Sequence, residues 1–395
     1  MPLIKCFKHA GKPELNPHYK GELLMNIAVI GGDGTGPEVI AEALKALKAI
    51  QTRFKLSFKI TQLPYNGTRY LQEGKLLSDN ELENLKTYDA ILLGAIGHVD
   101  IKPGILEKDI LLKMRFGLDQ YINLRPIKLY DNVESPLKNA TPADIDYVVV
   151  RENTGGLYTG QGSFTNKNSA DEIAIQEMIY TRHQVERCIR YAFDYTLNRH
   201  KDTPWKGLSQ NEKDQGFIGK LTLCGKTNVL TYVFDLWQRV FNDVAKDYPT
   251  IKTDYVHVDA VCIYMVDNPS RFDTIVTSNM FGDIITDLGA ITQGGLGVAP
   301  GANINPEGVS MFEPIGGTAP DFTGKNQINP IAAIGAAALM LNHLGHHQAA
   351  TCLESAIQAT IHQMTSQAAA QMGHSTTQIG DLVAKHISQG HVIQS

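Results

Sequence analysis

Asp283 and Asp287 stand four residues apart in Asn279-Met-Phe-Gly-Asp-Ile-Ile-Thr-Asp-Leu-Gly-Ala-Ile291. A helical period through this stretch puts both carboxylates on one face. Two like charges side by side cost free energy unless a cation offsets them, and hard carboxylate oxygens suit Mg²⁺ or Mn²⁺. The competing reading is a solvated acidic helix face. Phe281, Ile284, Ile285 and Leu288 are apolar, and Gly282 and Gly289 leave room for other backbone, so the flanks predict a packed setting.

Arg115, Arg125 and Arg151 each lie in or beside apolar sequence: Leu111-Leu-Lys-Met-Arg115, Asn123-Leu-Arg-Pro126 and Val148-Val-Val-Arg151. A guanidinium at a buried strand end needs an acid or an anionic ligand, because leaving it unpaired carries a large desolvation cost. Internal ion pairs would satisfy each one singly. Three together suit a ligand with two carboxylates, each gripped in fork geometry. Asp259 opens a helical stretch just after a strand and could complete a carboxylate cluster round a divalent ion. Lys226, in Cys224-Gly-Lys-Thr-Asn228, and Tyr158, in Gly155-Gly-Leu-Tyr158, are candidate proton-transfer groups; an ordinary surface or core role is the alternative for each. Near a metal and several arginines, a lysine is driven toward its neutral, basic form. His343, His346 and His347 read as charge neighbours of a helix C-terminus rather than as a metal site. Gly31-Gly-Asp-Gly-Thr-Gly36 misses the G-x-G-x-x-G spacing, and no acid ends a second strand at the required distance. A tight turn before a helix accounts for it equally well.

Strands and helices must position these groups. Residues 26–31 read as a buried strand running into that glycine-rich turn, and Pro37 suits the start of a helix carrying Ile40, Leu44 and Leu47. Residues 90–93, 147–150, 220–224, 255–258 and 274–277 read as further strands, and Val185, Cys188, Ile189, Ala192 and Phe193 line one helix face. Strands alternating with helices predict an α/β architecture. Residues 155–169 are rich in Gly, Ser, Thr and Asn and read as an exposed arm or loop. A helix of small residues (Ala332, Ala333, Ala336, Ala337) follows Pro330.

A length of 395 residues allows two domains. A formal net charge of −5 gives no reason to expect nucleic acid or an anionic membrane as partner. No apolar run reaches ~18 residues, so no membrane span is expected. Five scattered cysteines with no C-x-x-C argue against a disulfide framework or zinc site and predict a reducing, cytoplasmic compartment. Residues 1–24, with Pro2, Pro13, Pro17 and several lysines, read as a flexible extension or as a segment upstream of the natural start, which falls near Met25.

Taken in order, these segments resemble the isocitrate/isopropylmalate dehydrogenase family, the β-decarboxylating dehydrogenases of 2-hydroxy acids. The specific stretches are Gly32-Asp-Gly-Thr-Gly-Pro-Glu38, Asn123-Leu-Arg-Pro126, Val150-Arg-Glu-Asn-Thr-Gly-Gly-Leu-Tyr158, Ser278-Asn-Met-Phe-Gly-Asp-Ile284 and Glu313-Pro-Ile-Gly-Gly-Thr-Ala-Pro-Asp321. The match runs from Asn26 to about Ile387. It implies a two-domain α/β fold with a large mixed sheet, not a Rossmann fold. Residues 25–120 with 295–395 would form the cofactor side, and 121–294 the substrate, metal and dimerisation side with an arm near 155–180. By resemblance Arg115, Arg125 and Arg151 hold the substrate carboxylates, and Tyr158 protonates the enolate. Lys226 of the partner subunit assists proton removal from the hydroxyl. Asp283 and Asp287 bind Mg²⁺ or Mn²⁺ together with Asp259 of the partner subunit, so a homodimer with shared sites is implied.

Gly317, Thr318, Ala319, Asp321, Asn329 and Asn228 are the cofactor-binding residues the resemblance implies. An aspartate at 321 would accept hydrogen bonds from ribose hydroxyls and repel a 2′-phosphate, with no compensating charge from Phe322, so NAD⁺ is expected. Isocitrate enzymes place Ser and Asn six and four residues ahead of the first arginine. Asp109 and Leu111 stand at those offsets here, with Leu112 alongside. An aspartate repels a third carboxylate, and two leucines suit an isopropyl group, worth ~1–3 kcal/mol of selectivity. The expected reaction is oxidative decarboxylation of 3-isopropylmalate to 4-methyl-2-oxopentanoate, the leucine precursor. Gly316 and Lys108 depart from some relatives that carry a histidine and an acid there, which keeps a tartrate or D-malate enzyme as the alternative. A non-catalytic regulatory subunit is the alternative of another class, opposed by retention of every group named above.

Overall fold

Uncharged runs such as Ala-Ile-Leu-Leu-Gly-Ala can bury both faces of a strand, which a central parallel strand requires. In the computed structural model, which describes residues 24–390, such runs build one large sheet. The expected extension therefore lies outside the described residues except for Leu24, which begins the first strand.

The strands are β1 (Leu24–Gly32), β2 (Ser57–Gln62), β3 (Ala90–Ala95), β4 (Ile122–Lys128), β5 (Asp146–Glu152), β6 (Gly162–Thr165), β7 (Ile173–Gln176), β8 (Gly219–Gly225), β9 (Ile251–His257), β10 (Thr274–Thr277), β11 (Pro300–Ile304) and β12 (Ser310–Pro314). The helices are α1 (Gly36–Phe54), α2 (Gly67–Glu73), α3 (Asp79–Leu85), α4 (Lys113–Gly117), α5 (Arg182–Arg199), α6 (Gln210–Asp214), α7 (Val233–Ala245), α8 (Val258–Asp267), α9 (Asn279–Thr292), α10 (Ile331–His343), α11 (His347–Ile361) and α12 (Thr376–Gln389). Ten strands pair in the order β2-β1-β3-β12-β11-β4-β5-β10-β8-β9. Two parallel blocks, β2-β1-β3-β12 and β5-β10-β8-β9, meet through the antiparallel pairs β12–β11, β11–β4 and β4–β5. This is the large mixed sheet the resemblance implied.

Alternation along the strands separates the core. Ile27, Val29, Val148 and Val150 face one apolar layer with α1, α5, α7, α10 and α11. Ala28 and Ile30 face a second layer, and Tyr147 and Val149 a third, both on the opposite side of the sheet. The register then decides what the middle strands present. Asn303, Asn123, Arg151, Thr277 and Cys224 are directly opposite one another across β11, β4, β5, β10 and β8.

Several local expectations are refined or corrected. The polar run at 155–169, expected as an exposed arm or loop, is part of an exposed arm, with the added detail of a 3₁₀ turn (Leu157–Thr159) and of β6 paired with β7. With neither face buried, no apolar alternation was there to betray the strand. The strand expected at 255–258 begins earlier, at Ile251, and Val258 already belongs to α8. On α9, Ile285 is buried but Ile284 is half exposed. A Cβ on Gly282 or Gly289 would collide with the side chains of Arg151 and Ile127, not with backbone. Of the three histidines only His343 lies in the last turn of α10; His346 precedes α11, and burial, then the His347 charge, lower its pKa, which argues against a charged helix-end role. The four described cysteines are free, and no described helix is long and apolar enough to cross a membrane.

Candidate active site

Arg151 is the penultimate residue of β5 and Asn279 opens α9, so the sheet and the helix N-terminus meet at one guanidinium. Arg151 is only 1% exposed. Its Nε and Nη2 donate to Asn279 Oδ1 at 3.0 and 2.8 Å, and its Nη1 pairs with Asp283. Gly282 makes room for the Arg151 stem, since a Cβ there would lie 2.4 Å from Arg151 Cγ. Burial pulls the Arg151 pKa down, outweighing the Asp283 pair.

The Tyr158 hydroxyl donates to the other Asp283 oxygen at 2.6 Å, and the Arg151 guanidinium lies 5.3 Å from the Tyr158 ring centre. Burial pushes the phenol pKa up, and the bond to Asp283 adds to this. Burial also works against ionising Asp283, but Arg151, Tyr158 and Arg125 outweigh it and hold that carboxyl below its ordinary value. Asp287, one turn on, behaves oppositely: burial, joined by the Asp283 charge, pushes its carboxyl up. The two acids therefore do share a face, as their spacing predicted.

The turn that delivers Tyr158 hangs on buried Glu152. Its carboxylate accepts from Thr154 N and Gly155 N, both at 2.8 Å, and from Thr154 Oγ1 at 2.7 Å. Glu152 was missed as a site residue, although an acid next to Arg151 at the end of an apolar strand was its signal.

Arg125 sits two residues from Asn123 on β4, hence on the same face. Its Nε donates to Asn123 Oδ1 at 2.7 Å, while its buried Nη1 has no partner. Burial, with repulsion from Arg151 and Arg115, pulls its pKa down to about 10. Arg115, on α4, donates through Nη2 to Glu313 Oε1 on β12 at 3.2 Å. Glu313 was quoted within a motif but not recognised as the counter-ion. Leu111 and Leu112 end a π-helical turn (Glu107–Leu112) that leads straight into α4 and remain partly exposed. Such turns are frequent at functional sites.

Lys226 and Asp259 stand apart from these groups. Lys226 Nζ donates to Asp259 at 2.7 Å, and this pairing lowers the Asp259 pKa. Among the described residues no three acids, histidines or cysteines gather round one point. Within one chain, then, Asp283 and Asp287 are together and Asp259 is not with them. Asn228 lies exposed beside Lys226.

The remaining expected cofactor residues form a loop clamped to the β1–α1 turn. Thr318 O accepts from Thr35 N at 2.9 Å, and a Cβ on Gly34 would approach Thr318 O to 2.2 Å. Gly34 has φ +57°, so the glycine is required twice over. Buried Asp33 ties this turn to Gly67 N and Gly97 N at 2.8 and 3.1 Å. The glycine-rich stretch thus serves as a tight turn that seats a second loop. Gly317 faces open space, and Ala319, at φ +41°, leads into a short turn that displays Asp321. Asn329 is buried, its amide occupied by Gln367 and Ile331 N.

A mixed ten-stranded sheet that gathers three buried guanidiniums against a paired-carboxylate helix defines a non-Rossmann α/β protein. The profile described as isocitrate/isopropylmalate dehydrogenase matches residues 26–383. The chain is 47% identical over 364 residues to "3-isopropylmalate dehydrogenase" of Corynebacterium glutamicum (strain R), covering 91% of this chain and 99% of that one. It is 44% identical to the protein of the same description from Thermobifida fusca (strain YX), with 92% and 98% covered. The crystal structure of isocitrate dehydrogenase from Methylococcus capsulatus superposes with a TM-score of 0.78 at 30% identity, covering 92% and 100%. This chain belongs to the isocitrate/isopropylmalate dehydrogenase family.

The Asp283 shift gives a testable pH dependence. A carboxyl held below its usual 3.8 adds stability above that value and loses it as pH falls through the depressed folded value. Comparing urea unfolding of wild type and Asp283→Asn from pH 6 downward, the difference curve should be flat well above 3.8 and bend below it. A difference that grows toward low pH would show that the ion pair does not stabilise the carboxylate.

Proposed function

We propose that this protein catalyses the NAD⁺-dependent oxidative decarboxylation of 3-isopropylmalate to 4-methyl-2-oxopentanoate, as a cytoplasmic homodimer in leucine biosynthesis. The observation that carries the reading is Arg125, buried between Arg115 and Arg151 with an Nη1 that no protein atom satisfies. A buried guanidinium with a free donor calls for an anionic partner that arrives as ligand. Arg115, Arg125 and Arg151 would grip the two carboxylates, and Leu111 and Leu112 would meet the isopropyl group. The relatives described as 3-isopropylmalate dehydrogenases support this choice over tartrate or malate.

Two carboxylates four residues apart fit a divalent ion as hard oxygen donors, and burial, with the Asp283 charge adding to it, pushes the Asp287 carboxyl up. Asp283 and Asp287 would hold Mg²⁺ or Mn²⁺ with Asp259 of a second copy. When bound, such an ion lowers the pKa of the substrate hydroxyl and stabilises charge on oxygen after CO₂ is lost, while NAD⁺ accepts the hydride. Tyr158 holds its proton on Oη, its pKa raised, and is poised to deliver it to C3. Lys226 of a second copy would receive the hydroxyl proton. Exposed Asp321 suits the ribose hydroxyls of NAD⁺, with Gly317, Thr318 and Ala319 shaping its loop, Asn329 fixing the loop's far end, and Asn228 reaching from beside Lys226.

The homodimer is supported by surface chemistry. Ile263 and Val266 on α8 and Ile284 and Ile291 on α9 are each at least half exposed, and Tyr232 is 92% exposed near Lys226. A contiguous apolar face of this kind marks an interface. The two halves of the chain, 25–120 with 295–395 and 121–294, would meet where β11 pairs with β4.

Three experiments test these readings. Steady-state kinetics on 3-isopropylmalate, D-malate, tartrate and isocitrate should give the highest kcat/KM for the first, lost with EDTA and restored by Mg²⁺ or Mn²⁺; faster turnover of tartrate would overturn the substrate. Asp321→Lys should cut the NAD⁺ over NADP⁺ preference by about ten-fold or more, and an unchanged ratio would sink the cofactor assignment. Lys226→Ala and Asp283→Asn should each be inactive, yet mixing them after denaturation and refolding should restore about a quarter of wild-type activity through hybrid dimers with one intact site. No recovery in confirmed hybrids would refute shared sites.

A further inference from the structure

Two of the arginines are joined by a row of buried amides that the mechanism has not used. Arg125 Nε donates to Asn123 Oδ1 at 2.7 Å, Asn123 Nδ2 donates to Asn303 Oδ1 at 2.8 Å, and Asn303 Nδ2 donates to Glu313 Oε1 at 2.7 Å. The same Glu313 oxygen accepts Arg115 Nη2 at 3.2 Å. Asn123 and Asn303 are both wholly buried and directly opposite in the β4–β11 register. Asn153 Nδ2, just past the end of β5, also donates to Asn303 Oδ1, at 3.0 Å, so Asn303 is the node where Asn123, Asn153 and Glu313 converge.

Every bond in the row runs the same way. Each amide presents its oxygen toward Arg125 and its NH₂ toward Glu313, and only that orientation satisfies both ends. The Glu313 carboxylate thus acts on two guanidiniums, on Arg115 directly and on Arg125 through two aligned dipoles. Arg125 is held by Nε alone, which leaves the outer nitrogens of its fork uncommitted; Gly301 spares the space its stem needs, since a Cβ there would lie 3.2 Å from Arg125 Cδ and Nε. A carboxylate placed directly against Arg125 would neutralise it better but would occupy the face that a ligand requires.

We propose that Asn303 is a positioning residue: through Asn123 it fixes the Arg125 fork open toward the substrate carboxylate, and through Glu313 it ties that fork to Arg115. The proposal rests on the reading above that Arg125 takes a substrate carboxylate. Because the row crosses the β11–β4 pairing, it also sets the distance between arginines carried by the two halves of the sheet.

The test is a double-mutant cycle with whichever acid of the panel the wild type turns over best. Asn303→Leu should raise the KM for that acid at least about ten-fold and leave the KM for NAD⁺ within about two-fold. Arg125→Gln and the Arg125→Gln/Asn303→Leu double variant should then share one KM within about two-fold, because Asn303 acts through Arg125. Asn303→Asp, whose carboxyl stays protonated beside Glu313, should rescue most of the loss. Should Asn303→Leu not fold, Asn303→Ser carries the same cycle. Additive losses in the cycle, or equal shifts in both KM values, overturn the proposal. A substrate-free crystal structure of the variant decides independently of activity: Arg125 Nε must have left Asn123, and its retention there refutes the relay even if the substrate assignment holds.

Discussion

Three guanidiniums cannot be buried near one another unless something answers both their desolvation and their mutual repulsion. That constraint organises this molecule. The outer two are answered by carboxylates, Arg115 by Glu313 and Arg151 by Asp283. The middle one is answered by an amide and by charge at a distance, and it is the arginine whose pKa falls to about 10. The arrangement needs residues from β4, β5, β11 and β12 on one face, and only the antiparallel centre of the sheet brings those four strands together.

Helix α9 serves both sheet and site. Its first residue, Asn279, takes two bonds from Arg151 and also donates to Gly155 O at 3.2 Å, joining Arg151 to the turn that bears Tyr158. Gly282 lets the Arg151 stem cross the helix, and Asp283 is bonded by both Arg151 and Tyr158. Its other side, with Ile284 and Ile291, remains exposed alongside α8. One helix thus presents its carboxylates inward and an apolar face outward, which links a catalytic cleft to an intersubunit surface in the reading proposed above.

Much of the site was legible because its side chains are chemically expensive to bury. An arginine after three valines, or an aspartate pair amid isoleucines, announces a partner before any coordinates exist, and Arg151 and Tyr158 do both bond to Asp283, while Arg115 finds Glu313. The counter-ions were harder to see. Glu313 and Glu152 are acids inside strands, and their partners lie far away in sequence or in the backbone of a following turn. Asn123 and Asn303 carry no charge to mark them; their role exists only because the register sets them face to face. An arm near 155–180 was expected, but the pairing within it was not, since β6 and β7 are four residues each and exposed on both faces.

The sequence by itself determined the α/β class, the helix that pairs Asp283 with Asp287, and the identity of groups that must find partners, because periodicity and desolvation act locally on residue type. The tertiary structure decided which partners they found. Strand order and register set Asn303 against Asn123 and Glu313 within reach of Arg115, and they left Lys226 with Asp259 away from the other two aspartates. Those are contacts across 180 and 198 residues of chain, and no local pattern encodes them.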